Sequence, residues 1–156
     1  MAITQALANS FKKQLLDGDH SFASSGGDVF KIALYTSSAT LNSATTSFTT
    51  GNQVANSGQY TSGGGKLTGN NTSIASGVAI VDFADRSFTG VTLTARGALI
   101  YNTSSTATNA AVAALDFGAD KTATSGTFTI QFPAFTTTPN TPVSYTHLTL
   151  PTIYSV

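Results

Sequence analysis

The stretch Val78–Tyr101, VAIVDFADRSFTGVTLTARGALIY, decides the fold class. It opens with a nearly continuous apolar run, Val78 to Phe83, whose length and β-branched content suit a buried strand. A polar break follows at residues 84–87. Val91-Thr-Leu-Thr-Ala95 then alternates without fault, so Val91, Leu93 and Ala95 share one face while Thr92 and Thr94 share the other. Gly97 interrupts, and Ala98-Leu-Ile-Tyr101 resumes as a further apolar run. Strands packed into so short a window, joined by tight turns, predict an antiparallel meander with one face on a core.

Composition agrees with strands rather than helices. The 156 residues fit one domain large enough to bury a core, and 40% of them are apolar. Only 9% are charged, against roughly 25% in ordinary soluble domains. Glu is absent, all seven acidic residues are Asp, and 27 Thr with 18 Ser supply the polar surface. A helical protein would place Glu, Lys and Gln on its exposed faces, so this bias favours strands and turns. Net charge is zero and the seven cations are scattered, which argues against a surface that tracks phosphates. A near-neutral surface also repels its neighbours weakly, which suits a surface covered in an assembly. The absence of cysteine excludes disulfides and thiolate metal sites. No basic segment leads into an apolar run at Met1–Gln5, and no stretch reaches membrane-spanning length. Synthesis in a cytoplasm, with no membrane partner, is the expectation.

Outside the central stretch, residues 3–17 carry a helical pattern, with Ile3, Leu7, Phe11 and Leu15 on one narrow stripe and Gly18 as the stop. That stripe packs against the sheet or meets a partner subunit. Residues 19–28 form a loop dense in turn formers. Val29–Tyr35 reads as a strand with Phe30, Ile32 and Leu34 on the core face. Residues 36–77 read as a polar arm of Thr, Ser, Asn and Gly, with a short strand near Lys66–Thr68 and Tyr60 packed inward. A structureless loop of that length is improbable in a compact domain, so edge strands or an arm are expected within it. Ala111–Phe117 and Phe128–Phe132 read as two further strands, the second ended by Pro133. The expected fold is therefore mainly β: an antiparallel β-sandwich or barrel-like domain with one N-terminal helix.

The C-terminal segment is of another kind. Val143-Ser-Tyr-Thr-His-Leu-Thr-Leu-Pro-Thr152 resembles the conceptual translation of a transposon adapter used in DNA library preparation. Residues 142–156 are accordingly expected to be a non-native tail, leaving a single domain over residues 1–141 and a terminal strand lost to the tail.

Five groups of residues invite a chemical reading. With the tail set aside, His20 is the one histidine, and Asp17-Gly-Asp-His-Ser21 packs it with two carboxylates and a hydroxyl into one turn. A catalytic triad needs members converging from separate elements, so a structural turn is preferred; calcium-loop spacing is also missing. Asp82, Asp85, Asp116 and Asp120 would matter if they met at one end of the sandwich. Capping of turns and pairing with Arg86 and Lys121 is the preferred account. Asp116-Phe-Gly118 lacks the other kinase motifs, and Gly63-Gly-Gly-Lys66 lacks the hydroxyl residue and spacing of a phosphate loop. Finally, Phe30, Tyr35, Phe83, Phe88, Tyr101, Phe117, Phe128 and Phe132 fall at strand positions that suit a core better than a sugar-stacking platform. No catalytic, cofactor-binding or metal-binding residue is assigned.

The chain resembles a family of small virion structural proteins of tailed bacteriophages. The resemblance rests on Ser10-Phe-Lys12, Leu15-Leu16, Gly18-x-His20-x-Phe22 and Phe30-Lys-Ile-Ala-Leu-Tyr-Thr-Ser-Ser38. It continues through Asn52-x-Val54, Gly58-x-Tyr60-Thr61, Gly63-Gly64 and Thr94-Ala-Arg-Gly-Ala-Leu-Ile-Tyr101. Leu115-Asp-Phe-Gly118, Asp120-Lys121 and Gly126-x-Phe128-Thr-Ile-Gln-Phe-Pro133 complete it. It implies a non-enzymatic virion component that associates with itself and with capsid or tail protein, by decoration or within the tail or fibre. No cofactor and no nucleic acid are implied. The alternative is a receptor- or glycan-binding module of a phage fibre.

Overall fold

The computed structural model describes residues 2–75, 77–132 and 152–155. It is mainly β, antiparallel and sandwich-like, with one short helix near the N-terminus. The helix is α1 (Asn9–Asp17), and the strands are β1 (Ala6–Leu7), β2 (Phe30–Tyr35), β3 (Gly65–Lys66), β4 (Asn71–Ala75), β5 (Val78–Asp82), β6 (Arg86–Asn102), β7 (Ala110–Gln131) and β8 (Thr152–Ser155). Six strands make one sheet in the order β1-β7-β6-β2-β3, with β8 also paired to β7; β4 and β5 form a separate hairpin.

Two long strands replace the expected meander. Residues 91–95 and 98–101 belong to the single strand β6, and the two strands expected at 111–117 and 128–132 are both parts of β7. Gly97 does not break the strand. It keeps two layers in contact, because a Cβ there would run into the Leu115 carbonyl and the Ile3 side chain. The long pair bends at irregularities in its register. Ala95 pairs with Lys121 but Gly97 pairs with Asp116, so the residues between Asp116 and Lys121 bulge out of β7.

The centre of the sheet is buried on both faces. Phe30, Ile32 and Leu34 share one face with Ile100 and Ala98; Ala33 and Tyr35 share the other with Leu99 and Gly97. All of Ile32, Ala33, Leu34 and Tyr35 are inaccessible to solvent. On the first face, Phe22 stacks on Phe30 with centroids 4.4 Å apart, and Phe11 and Phe83 extend that aromatic layer. On the second, Ile3 lies against Gly97 and Phe48 stacks on Tyr101 at 4.6 Å. Beyond this doubly covered centre, β6 alternates as its sequence predicts: Val91, Leu93 and Ala95 are buried while Thr92 and Thr94 are exposed. Hydroxyl pairs run across the exposed side, Ser87 with Thr129 and Thr94 with Thr122, each at 2.8 Å.

The segment read as a polar arm is a cover of the sheet. Ala39, Leu41, Val54 and Tyr60 are buried in the common core, and Val54 N donates to the Leu34 carbonyl at 2.9 Å. Tyr60 is fully buried, as its sequence context predicts, and its hydroxyl accepts from Leu34 N at 2.8 Å. It thereby takes the place of a neighbouring strand along the outer edge of β2, where β3 pairs only Lys31 and Ile32.

The N-terminal helix is shorter than its pattern predicts. It begins at Asn9 rather than near residue 3, because Thr4 N and Ala8 N donate to the carbonyls of Leu41 and Val112 and hold this segment extended. Gly18 stops the helix at φ 78°, as expected. The Ile3-Leu7-Phe11-Leu15 stripe does not form one face: of the helical residues only Phe11 is buried, and Leu16 is 90% exposed. The tail set aside on its sequence contributes β8, where Thr152–Ser155 pair with Phe128–Gln131. Pro133, expected to end the last strand, and residues 142–151 and 156 of the expected tail lie outside the described residues.

Candidate functional site

His20 sits in a polar knot at the junction of the α1 exit, the 19–28 loop and the end of β6. Asn102, fully buried, organises it. Its side-chain amide donates to His20 Nδ1 at 2.9 Å and to Asp28 Oδ2 at 2.7 Å, while its carbonyl accepts from Ser104 N and Ser105 N. Since Nδ1 accepts, Nε2 carries the proton and donates to Gln14 Oε1 at 3.0 Å. The imidazole is therefore neutral, held on both nitrogens, and packed edge-on against Phe11 at 4.9 Å. Burial lowers its pKa below the ordinary imidazole range, opposed by the charges of Asp28 and Asp19.

The expected turn cluster is only partly brought together. Asp17 pairs with Lys13, and Asp19 accepts from the Thr106 hydroxyl at 2.9 Å. Ser21 uses its backbone N–H to bind Asp28 at 2.9 Å. No hydroxyl donates to the imidazole among the described residues, so the geometry is that of a pinned loop closure. Asp28 and Asn102, which sequence reasoning missed as members of this knot, lie 74 residues apart in the chain. The one local signal was an amide at the end of an apolar strand.

The four other aspartates do not converge. Asp82 and Asp85 accept from Phe83 N and Phe132 N, each at 2.9 Å. Asp116 accepts from Gly118 N at 2.9 Å, so the Asp116-Phe-Gly118 triplet is a turn inside the β7 bulge. Capping is thus as expected, but the pairing is not. Asp116 binds Arg96 at 3.1 Å rather than Lys121. Arg86 lies over the Phe88 ring at 4.9 Å, and its Nε has no hydrogen-bond partner among the described residues. No group of three or more His, Cys, Asp or Glu residues able to hold a metal occurs among the described residues. The Gly63-Gly-Gly-Lys66 stretch is a turn into β3, where the Gly63 carbonyl accepts from the Tyr101 hydroxyl at 2.7 Å.

Two surface features remain. A cleft of about 260 Å³ opens between β1, the start of α1 and β7, lined by Gln5, Lys12, Ser43 and Ala113 among others. The β4–β5 hairpin stands apart from the main sheet. Of the Val78–Phe83 run expected as a buried strand, Phe83 is buried and Val81 packs half-buried against the core, while Ala79 is exposed; Ile74 of β4 is 77% exposed. The run is only partly covered because, among the described residues, it pairs with β4 alone and not with a strand of the main sheet. Among the described residues no helix is long and apolar enough to cross a membrane. No family model, no curated protein and no solved structure matches the chain.

Proposed function

We propose that this protein is a non-enzymatic structural component of a tailed-bacteriophage virion, acting by association with copies of itself and with capsid or tail protein. The observation that carries this reading is the β4–β5 hairpin, whose β5 strand is paired on one edge only among the described residues and whose Ile74 is exposed. The setting supports it. The exposed side of β6 and β7 is lined with paired hydroxyls, and net charge is zero, so close approach of neighbours meets little electrostatic resistance. Many of the residues that carry the phage resemblance fall at positions that build the domain: Phe30, Ile32–Tyr35, Tyr60, Ala98–Tyr101 and Phe128 are core. Of the rings a glycan-binding surface would draw on, Tyr35, Tyr60 and Phe88 are inside the molecule, which favours the association reading. The test is mass spectrometry of density-banded particles from a phage carrying this gene. The protein should be present at a fixed ratio to the major capsid or tail protein and resist a salt wash. Its absence from washed particles would refute the assignment.

A further inference from the structure

We infer that the outer edge of β5 is a self-pairing site, through which a second copy of this chain joins two β4–β5 hairpins into one continuous four-stranded sheet. This rests on the association reading above and names its partner. The main sheet closes its edges with its own chain: Tyr60 and Val54 occupy Leu34, Leu67 N donates to the Phe30 carbonyl, and Ala8 N donates to Val112. The hairpin is different. Among the described residues, β5 pairs only with β4, and no other backbone hydrogen bond reaches residues 78–82. Exposed edges are ordinarily protected by lysine, proline or a bulge. Residues 71–81 contain no charge and no proline, and the pairing from Asn71↔Asp82 to Ala75↔Val78 is unbroken.

The register is compatible with a second copy of the same edge as the occupant. Two residues link β4 to β5, so the closing pair Ala75↔Val78 exchanges backbone bonds, and Val78, Ile80 and Asp82 direct theirs toward β4. The N–H and C=O groups of Ala79 and Val81 then point to the free edge. An antiparallel second copy centred on Ile80 satisfies them, since Ala79 meets the second copy's Val81 and the reverse. Ile80 faces its own counterpart across the two-fold axis. Asp82 faces Val78, so no like charges are opposed. The sequence Val78-Ala-Ile-Val-Asp82 is thus complementary to itself across its whole length, as an isologous interface requires.

The chain has no cysteine, which makes the register directly measurable. Ile80→Cys places two thiols on the axis in a non-hydrogen-bonded pair with Cα atoms about 4.5 Å apart, within disulfide reach. Under mild oxidation this variant should form a covalent dimer. Val78→Cys, displaced from its counterpart by roughly 13 Å along the strands, should not. Sedimentation of the unmodified protein should give twice the 15.9 kDa of one chain. Ala79→Pro, which removes an edge N–H and leaves the β4 pairing intact, should return it to one chain's mass. A monomer at the highest attainable concentration overturns the proposal. So does crosslinking at Val78→Cys or Ile74→Cys in place of Ile80→Cys, or an Ala79→Pro variant that remains dimeric. Particle incorporation is scored separately. A monomer that still bands with particles sinks this interface alone, whereas a dimer absent from particles sinks the virion assignment and leaves the interface standing.

Discussion

Replacement of Tyr60 by phenylalanine removes one oxygen and tests whether that hydroxyl stands in for a strand. In the native protein it accepts from Leu34 N at 2.8 Å and from Gln53 Nε2 at 2.9 Å. Leu34 and Tyr60 are both inaccessible to solvent, so no water replaces the lost acceptor. A buried backbone N–H without a partner costs about 1–3 kcal/mol. Gln53 is half-buried and can turn its amide toward solvent, so its loss adds little. The expected destabilisation of Tyr60→Phe is therefore about 2 kcal/mol, with the ring's packing against Phe88 at 5.0 Å retained. For a domain of this size that corresponds to a fall of roughly 4–8 °C in Tm. Tyr35→Phe is the matched control. Its hydroxyl donates to the Thr49 carbonyl, and Thr49 lies in an exposed loop where water can reach it. Its cost should stay below about 1 kcal/mol. Urea unfolding measures both, with m unchanged if the native core is kept. A Tyr60→Phe cost no larger than that of Tyr35→Phe would refute the strand-substitute account.

Gly97→Ala should cost about 2 kcal/mol or more by forcing β7 and Ile3 apart, whereas Gly118→Ala meets open space and should cost only about 1 kcal/mol, for its φ of +74°; urea midpoints rank them. Asn102→Ala strips acceptors and donors from Ser104, Asp28 and His20 at once and should cost about 2–3 kcal/mol, measured the same way. Because burial lowers the His20 pKa, the unfolded chain binds the proton first as pH falls. Stability should be full above the unfolded value of about 6.5 and decline as pH drops below it. His20→Gln should flatten that part of the curve, read as ΔG of unfolding between pH 5 and 8 at about half-unit steps. Deletion of residues 36–65, rather than trimming a free arm, removes Leu41, Val54 and Tyr60 from the core; circular dichroism should show an unfolded chain.

Alternation made the strands legible and concealed their extent. Val91-Thr-Leu-Thr-Ala95 and Phe128-Thr-Ile-Gln are written in the period of two and lie on the strands they predict. Gly97 looked like a break, and residues 118–127 between the two expected strands carried no strand reading, because a glycine and a hydroxyl-rich run are also how loops are written. Here the glycine answers to Ile3 and Leu115, and two of the hydroxyl-bearing residues answer to Thr92 and Thr94 on the neighbouring strand. Residues 36–64 escaped for the opposite reason. Their buried members, Ala39, Leu41, Val54 and Tyr60, are isolated among polar residues, and no period connects them. Their backbone groups are satisfied by β2 and the N-terminal segment instead of by a regular partner. The N-terminal stripe misled because a spacing of four is met as well by an extended segment followed by a short helix.

The Val78–Phe83 run shows most clearly what a single sequence leaves open. Length and β-branching identify it as a strand that must be covered, and β5 is that strand. They do not say by what. A run enclosed by its own sheet and a run left for a neighbouring molecule satisfy the same hydrophobic demand and carry the same residues. The difference lies in register with partners distant in the chain. Asn71–Ala75 claims one edge of β5 and, among the described residues, nothing claims the other. The His20 knot has the same logic in polar form, since Asn102 becomes its centre only when β6 delivers it beside Asp28. In both places local sequence sets the kind of interaction required, and topology decides whether the molecule supplies it from within.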